Sequence, residues 1–192
     1  MRDAGICWRS RALFVTHGFH QTGMAQIAAV SGIKVGQIYR DFASKEEIIA
    51  AIVEEDVASW LLEDELALAM ANDDGTAIRN WIRRFGVVEE SLDECRMMTE
   101  IIAEAGRNER IAEIYHDIDV RVRSSLMAAL EALAPAPDRA CERTLLAELI
   151  IALSMGLMTR RILSPDIEIA AMSRLATALV DRELAALART GA

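Results

Sequence analysis

The sequence contains little proline and few aromatic residues. Of its 192 residues only 3 are proline and 5% are aromatic, whereas 53% are hydrophobic, with alanine, leucine and isoleucine prominent. Helix breakers are therefore rare, and so are the aromatic residues that strands favour. This composition predicts an all-α protein, and the length suits either one large domain or a small domain joined to a larger one.

The sequence is also poor in cysteine and in long apolar runs. Cys7, Cys95 and Cys141 are far apart and form no C-x-x-C pair, which argues against a disulfide framework and against a zinc site. The longest apolar run, at 149–159, is shorter than the roughly 20 residues that span a bilayer, and no signal peptide opens the chain. We therefore expect no membrane partner and a cytoplasmic location, where thiols stay reduced.

Charge is unevenly distributed along the chain, which carries a formal net charge of −9. Residues 1–50 contain six basic and four acidic residues, so this part is net +2. The remaining 15 basic and 26 acidic residues give the rest of the chain a net charge of −11. A mildly basic N-terminal part on an acidic body suits a protein that touches a polyanion with one end only.

Capping and turn residues divide the chain into about nine predicted helices. The capping box "SKEE" at 44–47 predicts a long helix that runs from about Ser44 to Ala71. "SLDE" at 91–94 carries the same signature, whereas the prolines at 134–138 exclude a helix interior. Other helix ends are predicted from small residues at Gly18, Ser31-Gly32 and Gly106.

The last two predicted helices have more apolar surface than one partner helix can cover. From Leu145 to Leu163 apolar residues fall on nearly every face, and Gly156 lets another helix approach closely. Ser164-Pro165 predicts the start of the final helix, which is rich in alanine and runs from about Asp166 to Arg189. A second copy of the chain is the simplest cover, so we expect a homodimer through the last two helices.

Residues 22–42, "TGMAQIAAVSGIKVGQIYRDF", have the dimensions of a helix-turn-helix. The apolar residues expected to face inward, against Leu13 and Phe14, are Ile27, Val30, Ile33, Ile38 and Phe42. The second helix would then present Lys34, Val35, Gln37 and Arg40 outward. In a DNA major groove, glutamine can read adenine, lysine or arginine can read guanine or hold phosphate, and valine can meet a thymine methyl.

At these residues the sequence resembles the TetR/AcrR family of bacterial transcription regulators. The matching elements are Leu13-Phe14, "HGF" at 17–19, Thr22, "IA" at 27–28, "SGI" at 31–33, Gly36, "IY" at 38–39, Phe42 and "SKE" at 44–46. The resemblance implies a three-helix DNA-binding domain over residues 1–50 and a larger helical ligand-binding and dimerisation domain over residues 51–192. It also implies a dimer on a palindromic DNA operator, released by a small-molecule effector, and it favours a repressor over an activator.

By position, the resemblance carries roles onto seven residues. It implies that Thr22, Tyr39 and Lys45 hold phosphates, and that Lys34, Val35 and Gln37 face bases. Arg40 suits either role.

Some residues depart from the family pattern. Lys34 stands where the family most often has a small capping residue, so the second helix of the motif is expected to be poorly capped. Arg9, Ser10 and Arg11 stand where alanine and leucine are usual, which affects the packing of the first helix. Relatives often carry further basic residues ahead of this segment, and a natural start upstream of Met1 is compatible with the sequence.

The effector is not identified by any motif. Bulky or polarizable residues on the middle helices are candidates to line its pocket or to form ordinary core: Trp60, Trp81, Phe85, Met97, Met98, Ile101, Tyr115 and Met127. Glu100 and Glu104 lie one helical turn apart. We expect both on a solvated face, because glutamate is rarely buried without a partner.

Two other classes of protein compete with a regulator. "EIYH" at 113–116 has the Glu-x-x-His spacing of paired-metal bundles, but the chain has no second copy of it. A helical structural or metal-binding dimer without DNA binding is therefore the alternative. No nucleophile elbow, phosphate loop or dinucleotide fingerprint is present, so we predict no enzyme activity, no metal and no cofactor.

Overall fold

The fold is that of a computed structural model, which describes residues 4–88, 91–164 and 166–189. Within these residues the chain forms ten α-helices, two 3-10 helices and no strand. The α-helices are α1 (Ala4–Gln21), α2 (Met24–Ser31), α3 (Val35–Asp41), α4 (Lys45–Leu61), α5 (Glu63–Ala71), α6 (Gly75–Arg83), α7 (Leu92–Ala105), α8 (Glu109–Leu133), α9 (Ala140–Leu163) and α10 (Ile169–Arg189). The short 3-10 helices are Arg84–Gly86 and Pro137–Arg139.

The helices belong to two compact units. The first unit takes in the chain up to Leu61 together with Ser91–Ile118, and the second takes in the segment from Leu62 and the chain from Asp119 onward. The first unit thus holds α1 to α4, α7 and the beginning of α8. The boundary expected at residue 50 divides a DNA-binding part of the chain from a ligand-binding and dimerisation part. Compact units do not test such a division of functions, so this boundary stays a prediction.

The core of the first unit is built from one face of each helix. In this unit α1 packs against α2, α4 and α7, while α3 packs against α2. Its fully buried side chains include Ile6, Phe14, Ile27, Ile38, Phe42, Ile48 and Ile52. The inward positions predicted for Ile27, Ile38 and Phe42 are therefore confirmed. Val30 is 45% exposed, so its predicted inward position is wrong.

Glycines set the turns of the helix-turn-helix. Gly18 adopts φ 75 and ψ 168 near the end of α1, a conformation that side chains disfavour strongly. Gly32 adopts the left-handed conformation at φ 70 and caps α2, as its N–H bonds the carbonyl oxygens of Ala28 and Ala29. The two predicted breaks at Gly18 and Gly32 are confirmed, and α3 has the predicted bounds Val35–Asp41.

The predicted long helix from Ser44 to Ala71 is interrupted. It divides at Leu62, which has left-handed φ 47 and ψ 53, into α4 and α5. This break raises the number of α-helices from the expected nine to ten. The start of the last helix is also later than predicted, because α10 begins at Ile169. Ser164 ends α9 instead, and Pro165 lies outside the described residues.

Other capping predictions are confirmed. The Ser91 hydroxyl accepts from the Glu94 N–H at 3.2 Å, and the Glu94 carboxylate accepts from the Ser91 N–H at 2.6 Å. At the start of α4 the Glu47 N–H lies 3.4 Å from the Ser44 hydroxyl, and the Glu47 carboxylate accepts from the Ala43 N–H at 2.9 Å. These bonds satisfy N–H groups that a helix start leaves without a partner.

The second unit is centred on the pair α9 and α10. α6 and the 3-10 helix Arg84–Gly86 pack against α10. At Gly86 an added Cβ would lie only 2.9 Å from the Thr177 hydroxyl and 3.2 Å from its backbone nitrogen, so the glycine permits this close approach. The buried guanidinium of Arg143 donates to the carbonyl oxygens of Ala134 and Ala136 and fixes the connection from α8 to α9.

One side of α9 is buried within the unit and the other is not. Leu146, Ala147, Ile150 and Leu157 are buried. Three leucines on the opposite side, called the leucine stripe below, are exposed: Leu145 at 64%, Leu149 at 47% and Leu163 at 69%. Within one chain, α9 therefore keeps an apolar side that its own unit does not cover, and the second copy expected to cover it stays a prediction.

In the described part of the chain, no helix is both long enough and apolar enough to cross a membrane.

Candidate nucleic-acid interface

The short helix α3 buries one side chain and exposes most of the others. Ile38 is completely buried and anchors α3 beneath α2. The left-handed turn at Gly32 redirects the chain, so that Lys34 becomes the N-cap of α3. Lys34 makes no side-chain capping bond, which confirms that this helix start is poorly capped.

Five of the seven predicted DNA-contacting residues lie together at this surface. Lys34, Val35, Gln37, Tyr39 and Arg40 are all exposed, and we call them the outer face of α3. Val35 is 42% exposed and Tyr39 is 52% exposed, although apolar and aromatic side chains are usually buried. Val35 and Tyr39 lie about one turn apart, as do Gln37 and Arg40, so these side chains are neighbours along the helix.

Thr22 and Lys45 occupy a different position from the other five. Thr22 is only 1% exposed, and its hydroxyl donates to the Gly18 carbonyl oxygen at 2.9 Å. The Lys45 ammonium donates to the Phe19 carbonyl oxygen at 2.8 Å and lies 3.9 Å from the centre of the Phe19 ring. Both side chains thus bond the carbonyl groups that end α1. The phosphate contacts expected of them remain predictions.

The three unusual residues of α1 have contacts that explain how they fit. The Arg9 guanidinium donates to the carbonyl oxygens of Val30 at 3.2 Å and Ser31 at 2.8 Å, and so caps the end of α2. Buried Ser10 donates its hydroxyl to the Ile6 carbonyl oxygen within α1. The polar residues therefore support the packing of α1.

Arg11, the third of these residues, pairs with Asp56 of α4. One guanidinium nitrogen of Arg11 lies 2.7 Å from the Asp56 carboxylate. The hydrogen bonds with Asp56 raise the pKa of Arg11 above its ordinary value, so the guanidinium stays charged at every relevant pH. This ion pair joins the first helix to the helix that leaves the motif.

A buried carboxylate lies where α7 meets the end of α1. Glu104 is 1% exposed, which corrects the expectation that it lies on a solvated face. Its Oε2 lies 2.8 Å from the Arg107 Nε and 3.1 Å from the His20 Nε2, and its Oε1 has no hydrogen-bond partner among the described residues. Since glutamate is buried only when it is paired, the partners explain its position.

A second contact joins the start of α4 to the beginning of α8. The Asn108 side-chain amide lies 3.4 Å from the Glu46 carboxylate. The pKa of Glu46 lies below its ordinary value: burial by itself would raise it, but hydrogen bonds from its own N–H, Ser44 and Asn108 outweigh that effect. Within the first unit, polar contacts around the loop 106–108 therefore bond the end of α1 and the start of α4, the two helices that flank α2 and α3.

The predicted effector-pocket residues are divided between the two units. Trp60, Met97, Met98, Ile101 and Tyr115 belong to the first unit, and Trp81, Phe85 and Met127 to the second. Met97, Ile101, Trp81 and Phe85 are buried, and Trp81 and Phe85 form an edge-to-face pair with ring centres 5.3 Å apart. Such burial fits a core role as well as a pocket, so the pocket remains a prediction.

An open groove of about 310 Å³ lies elsewhere, between α9 and α10. It is lined by Leu145, Leu146, Leu149 and Leu187, with charged residues at its edge. The groove contains part of the leucine stripe and none of the predicted pocket residues.

The metal-binding alternative requires several ligand side chains close together. Among the residues that the structure describes, no group of three or more histidine, cysteine or acidic side chains could hold a metal ion. In the "EIYH" segment, the Glu113 carboxylate accepts from Arg110 at 2.8 Å, and both Glu113 and His116 are exposed. The spacing noted in the sequence therefore reflects an exposed helix face with an ion pair.

Some functional contacts escaped prediction from the sequence. The cap that Arg9 forms on α2 and the pairing of Glu104 with His20 join residues distant in the chain, whereas Arg107 is only three residues from Glu104. The unusual positions of the charged residues Arg9 and Arg11 indicated that they make specific contacts. No local sequence pattern predicts which residues they contact. Glu104 gives no signal at all, because its burial depends on how α7 packs against α1.

Comparison with known proteins agrees with this arrangement. The family model described as "Bacterial regulatory proteins, tetR family" matches residues 9–52, and the model "BetI-type transcriptional repressor, C-terminal" matches residues 82–185. Among curated proteins, the HTH-type transcriptional regulator UidR of Escherichia coli strain K12 is 29% identical over 107 residues. This match covers 54% of the chain, and the chain spans about half (51%) of the length of the relative.

Solved structures share the fold over nearly the whole chain. Salmonella enterica GusR has a TM-score of 0.65 at 20% identity, with 94% of each chain covered. A protein of Mesorhizobium loti has a TM-score of 0.72 at 19% identity, with 96% of each chain covered. The second family model alone spans more than half of the chain, and with the first it accounts for both the helix-turn-helix and the helices that follow. The chain therefore belongs to the tetR family of bacterial regulatory proteins.

Proposed function

We propose that the chain is a transcriptional repressor that binds a palindromic double-stranded DNA operator as a homodimer and is released by a small-molecule effector. The observation that carries the proposal is the outer face of α3. A helix anchored by buried Ile38 presents two cations, an amide, a valine and a tyrosine to solvent. A cytoplasmic location and the lack of an enzymatic role are parts of the same proposal.

Each residue of the outer face has a stated task on DNA. Gln37 and Val35 meet base edges in the major groove, where an amide suits adenine and a methyl group suits thymine. Lys34, Tyr39 and Arg40 bind phosphates or guanine and fix the position of the helix. Thr22 and Lys45 are proposed to act at the edge of the same contact, from the corner where α1 ends.

The leucine stripe supports the homodimer. Leu145, Leu149 and Leu163 lie on one side of α9, because steps of 4 and 18 residues return to nearly the same helical face. Leu175 of α10 is 63% exposed as well. Exposed leucines on neighbouring helices are typical of a surface that another protein covers, and a second copy provides a two-fold interface.

Release by an effector needs two arrangements of the dimer. Recognition helices of such dimers must lie about one DNA turn apart, roughly 34 Å. An effector can bind more tightly to a form of the dimer whose recognition helices have a different spacing. It then lowers the affinity for DNA by up to the ratio of its affinities for the two forms of the dimer. The predicted pocket residues on the middle helices are the proposed place for this ligand.

The test is a DNA-binding titration with a matched pair of variants. A site is first selected from random double-stranded DNA, and binding to it is compared with a scrambled duplex at two salt concentrations. Arg40→Ala should weaken binding, whereas Arg96→Ala, which removes an exposed arginine of α7 paired with Asp93, should not. If no sequence is selected, or if both variants bind like the unaltered protein, the proposal fails.

A further inference from the structure

Gly36 is a glycine for which the folded chain shows no need. It is the second residue of α3 and is exposed. An added Cβ at this position would meet nothing within 4 Å. Its φ is not in the left-handed region either, because among the described glycines only Gly18 and Gly32 have positive φ. Neither packing nor backbone conformation therefore requires glycine here.

Glycine at this position works against the helix. Glycine loses more conformational freedom on folding than alanine does, so alanine stabilises a helix better than glycine. α3 has only seven residues, and its N-cap Lys34 makes no side-chain capping bond. A helix this short and poorly capped gains from every good helix former, so alanine would serve folding better than glycine at position 36.

The position of Gly36 within the outer face of α3 gives the missing reason. It follows Val35 directly and lies one turn before Tyr39 and Arg40. Because Gly36 is exposed, has no side chain and has open space where a Cβ would lie, the backbone of α3 is uncovered at this point. Glycine is the usual residue where a backbone must approach a ligand closely.

We propose that Gly36 is the point of closest approach between α3 and the DNA, and that its missing side chain sets how deeply the helix enters the major groove. This inference rests on the proposed function. A methyl group at position 36 would hold the helix away by about one carbon–carbon bond, roughly 1.5 Å. That displacement is enough to remove Gln37 and Val35 from hydrogen-bonding and van der Waals distance of the base edges.

The consequence is an unusual combination of effects for one substitution. Gly36→Ala should leave the thermal unfolding midpoint unchanged or raise it by about 1–3 °C, since it improves the helix. The same change should weaken binding to the selected DNA site at least tenfold, about 1.4 kcal/mol. Binding to scrambled DNA should change much less, because phosphate contacts at longer range carry most of it.

The matched control is Gly106→Ala at the end of α7. Gly106 is also exposed and in the same compact unit, has an ordinary φ of −68, and would place its Cβ in normal contact at 3.6 Å. It should tolerate alanine without a change in DNA affinity. A series of Gly36→Ala, Gly36→Ser and Gly36→Val should then weaken specific binding in order of side-chain volume.

The outcomes separate this inference from the proposed function. Loss of specific binding by Gly36→Ala, with unfolding midpoint and oligomeric state preserved, supports the inference. Unchanged affinity and the same selected sequence would overturn it, while the proposed function would stand. A lowered unfolding midpoint would also overturn it, because position 36 would then have a structural role. If the unaltered protein selects no DNA, the proposed function fails and the inference fails with it.

Discussion

The outer face of α3 and the leucine stripe both expose apolar side chains, and they differ in what surrounds them. On the outer face of α3, Val35 and Tyr39 alternate with lysine, glutamine and arginine. On α9, the leucine stripe is purely aliphatic, and small residues such as Gly156 lie between its members. The first composition suits a polar ligand with methyl groups, such as the DNA major groove, and the second suits another helix.

The exposed side chains of these two surfaces are not part of the buried core of their own unit. The buried contacts of the first unit come from other faces of its helices, and those of α9 come from the side opposite the leucine stripe. Substitutions on the two surfaces should therefore change binding and leave stability alone. Substitutions at the contacts inside a unit should do the reverse, and four experiments test this division.

The largest effect is expected for the leucine stripe. Leu145→Glu with Leu149→Glu should weaken self-association at least about 100-fold, because two charges would have to be buried at the interface. Sedimentation across a concentration series measures this change. The control is Leu68→Glu on α5, since Leu68 is 65% exposed but lies outside the stripe. Equal self-association of the double variant and the unaltered chain would rule out this interface.

Gly18→Ala should act on stability. The residue has φ 75 and ψ 168, and an added Cβ would lie 3.4 Å from the Glu100 carboxylate. We expect a loss of about 1–3 kcal/mol in the free energy of unfolding, the usual cost of a side chain in this backbone region. Urea unfolding measures it, with Gly106→Ala as the control that should stay near the unaltered value. A difference below 0.5 kcal/mol, roughly the scatter of neutral substitutions, would contradict the conformational argument.

Arg40→Ala and Lys45→Ala should both weaken DNA binding, but only Lys45→Ala should also destabilise the fold. Arg40→Ala should reduce DNA affinity about tenfold and lower the slope of log affinity against log salt by about 0.9, without destabilising the fold. Lys45→Ala should cost about 1 kcal/mol of stability, because its ammonium bonds the carbonyl oxygens of Phe19 and Thr22. If the two variants had the same DNA affinity and the same free energy of unfolding, the different roles assigned to Arg40 and Lys45 would be contradicted.

The smallest effect concerns acid stability in the second unit. Hydrogen bonds from Arg121, at 3.0 Å, lower the pKa of Glu63 below its ordinary value. Glu63 thus binds protons more weakly when folded, so the pair stabilises the fold above about pH 4.3 and this contribution disappears as pH falls through the lowered folded pKa. The side chain is 40% exposed, which limits the effect to less than about 1 kcal/mol.

Arg121→Leu is the variant that measures this contribution. It should lower stability slightly at neutral pH, and the difference should disappear once the pH is low enough to protonate Glu63 in the unaltered chain as well. The difference between the two unfolding curves should therefore close on acidification. A gap that widens toward acid would contradict the direction of the pKa shift.

Local patterns predicted a large part of the fold. The bounds of α3 and the capping box at Ser91 were predicted correctly because turn glycines and capping side chains act within a few residues. The outer face of α3 followed from the same local periodicity. Its roles on DNA came from the resemblance and await measurement.

The errors arose where distant contacts or an unfavourable backbone decide the structure. The helix breaks at Leu62, whose backbone adopts the left-handed conformation, and no glycine or proline lies beside it to predict the break. Ser164-Pro165 has the pattern of a helix start, yet α10 begins at Ile169. Glu104 is buried because α7 packs against α1, where the distant His20 joins the neighbouring Arg107 as its partner, and no local pattern encodes that packing.

A hydroxyl-radical footprint of the protein on a DNA site selected from random sequence tests the central claim most directly. The claim is that two copies of α3 read DNA from a two-fold dimer. It predicts two protected segments of equal pattern, related by a dyad, with centres about 10–10.5 base pairs apart or a multiple of that spacing. A single protected segment, protection without a dyad, or no protection at protein concentrations that support a dimer would contradict it.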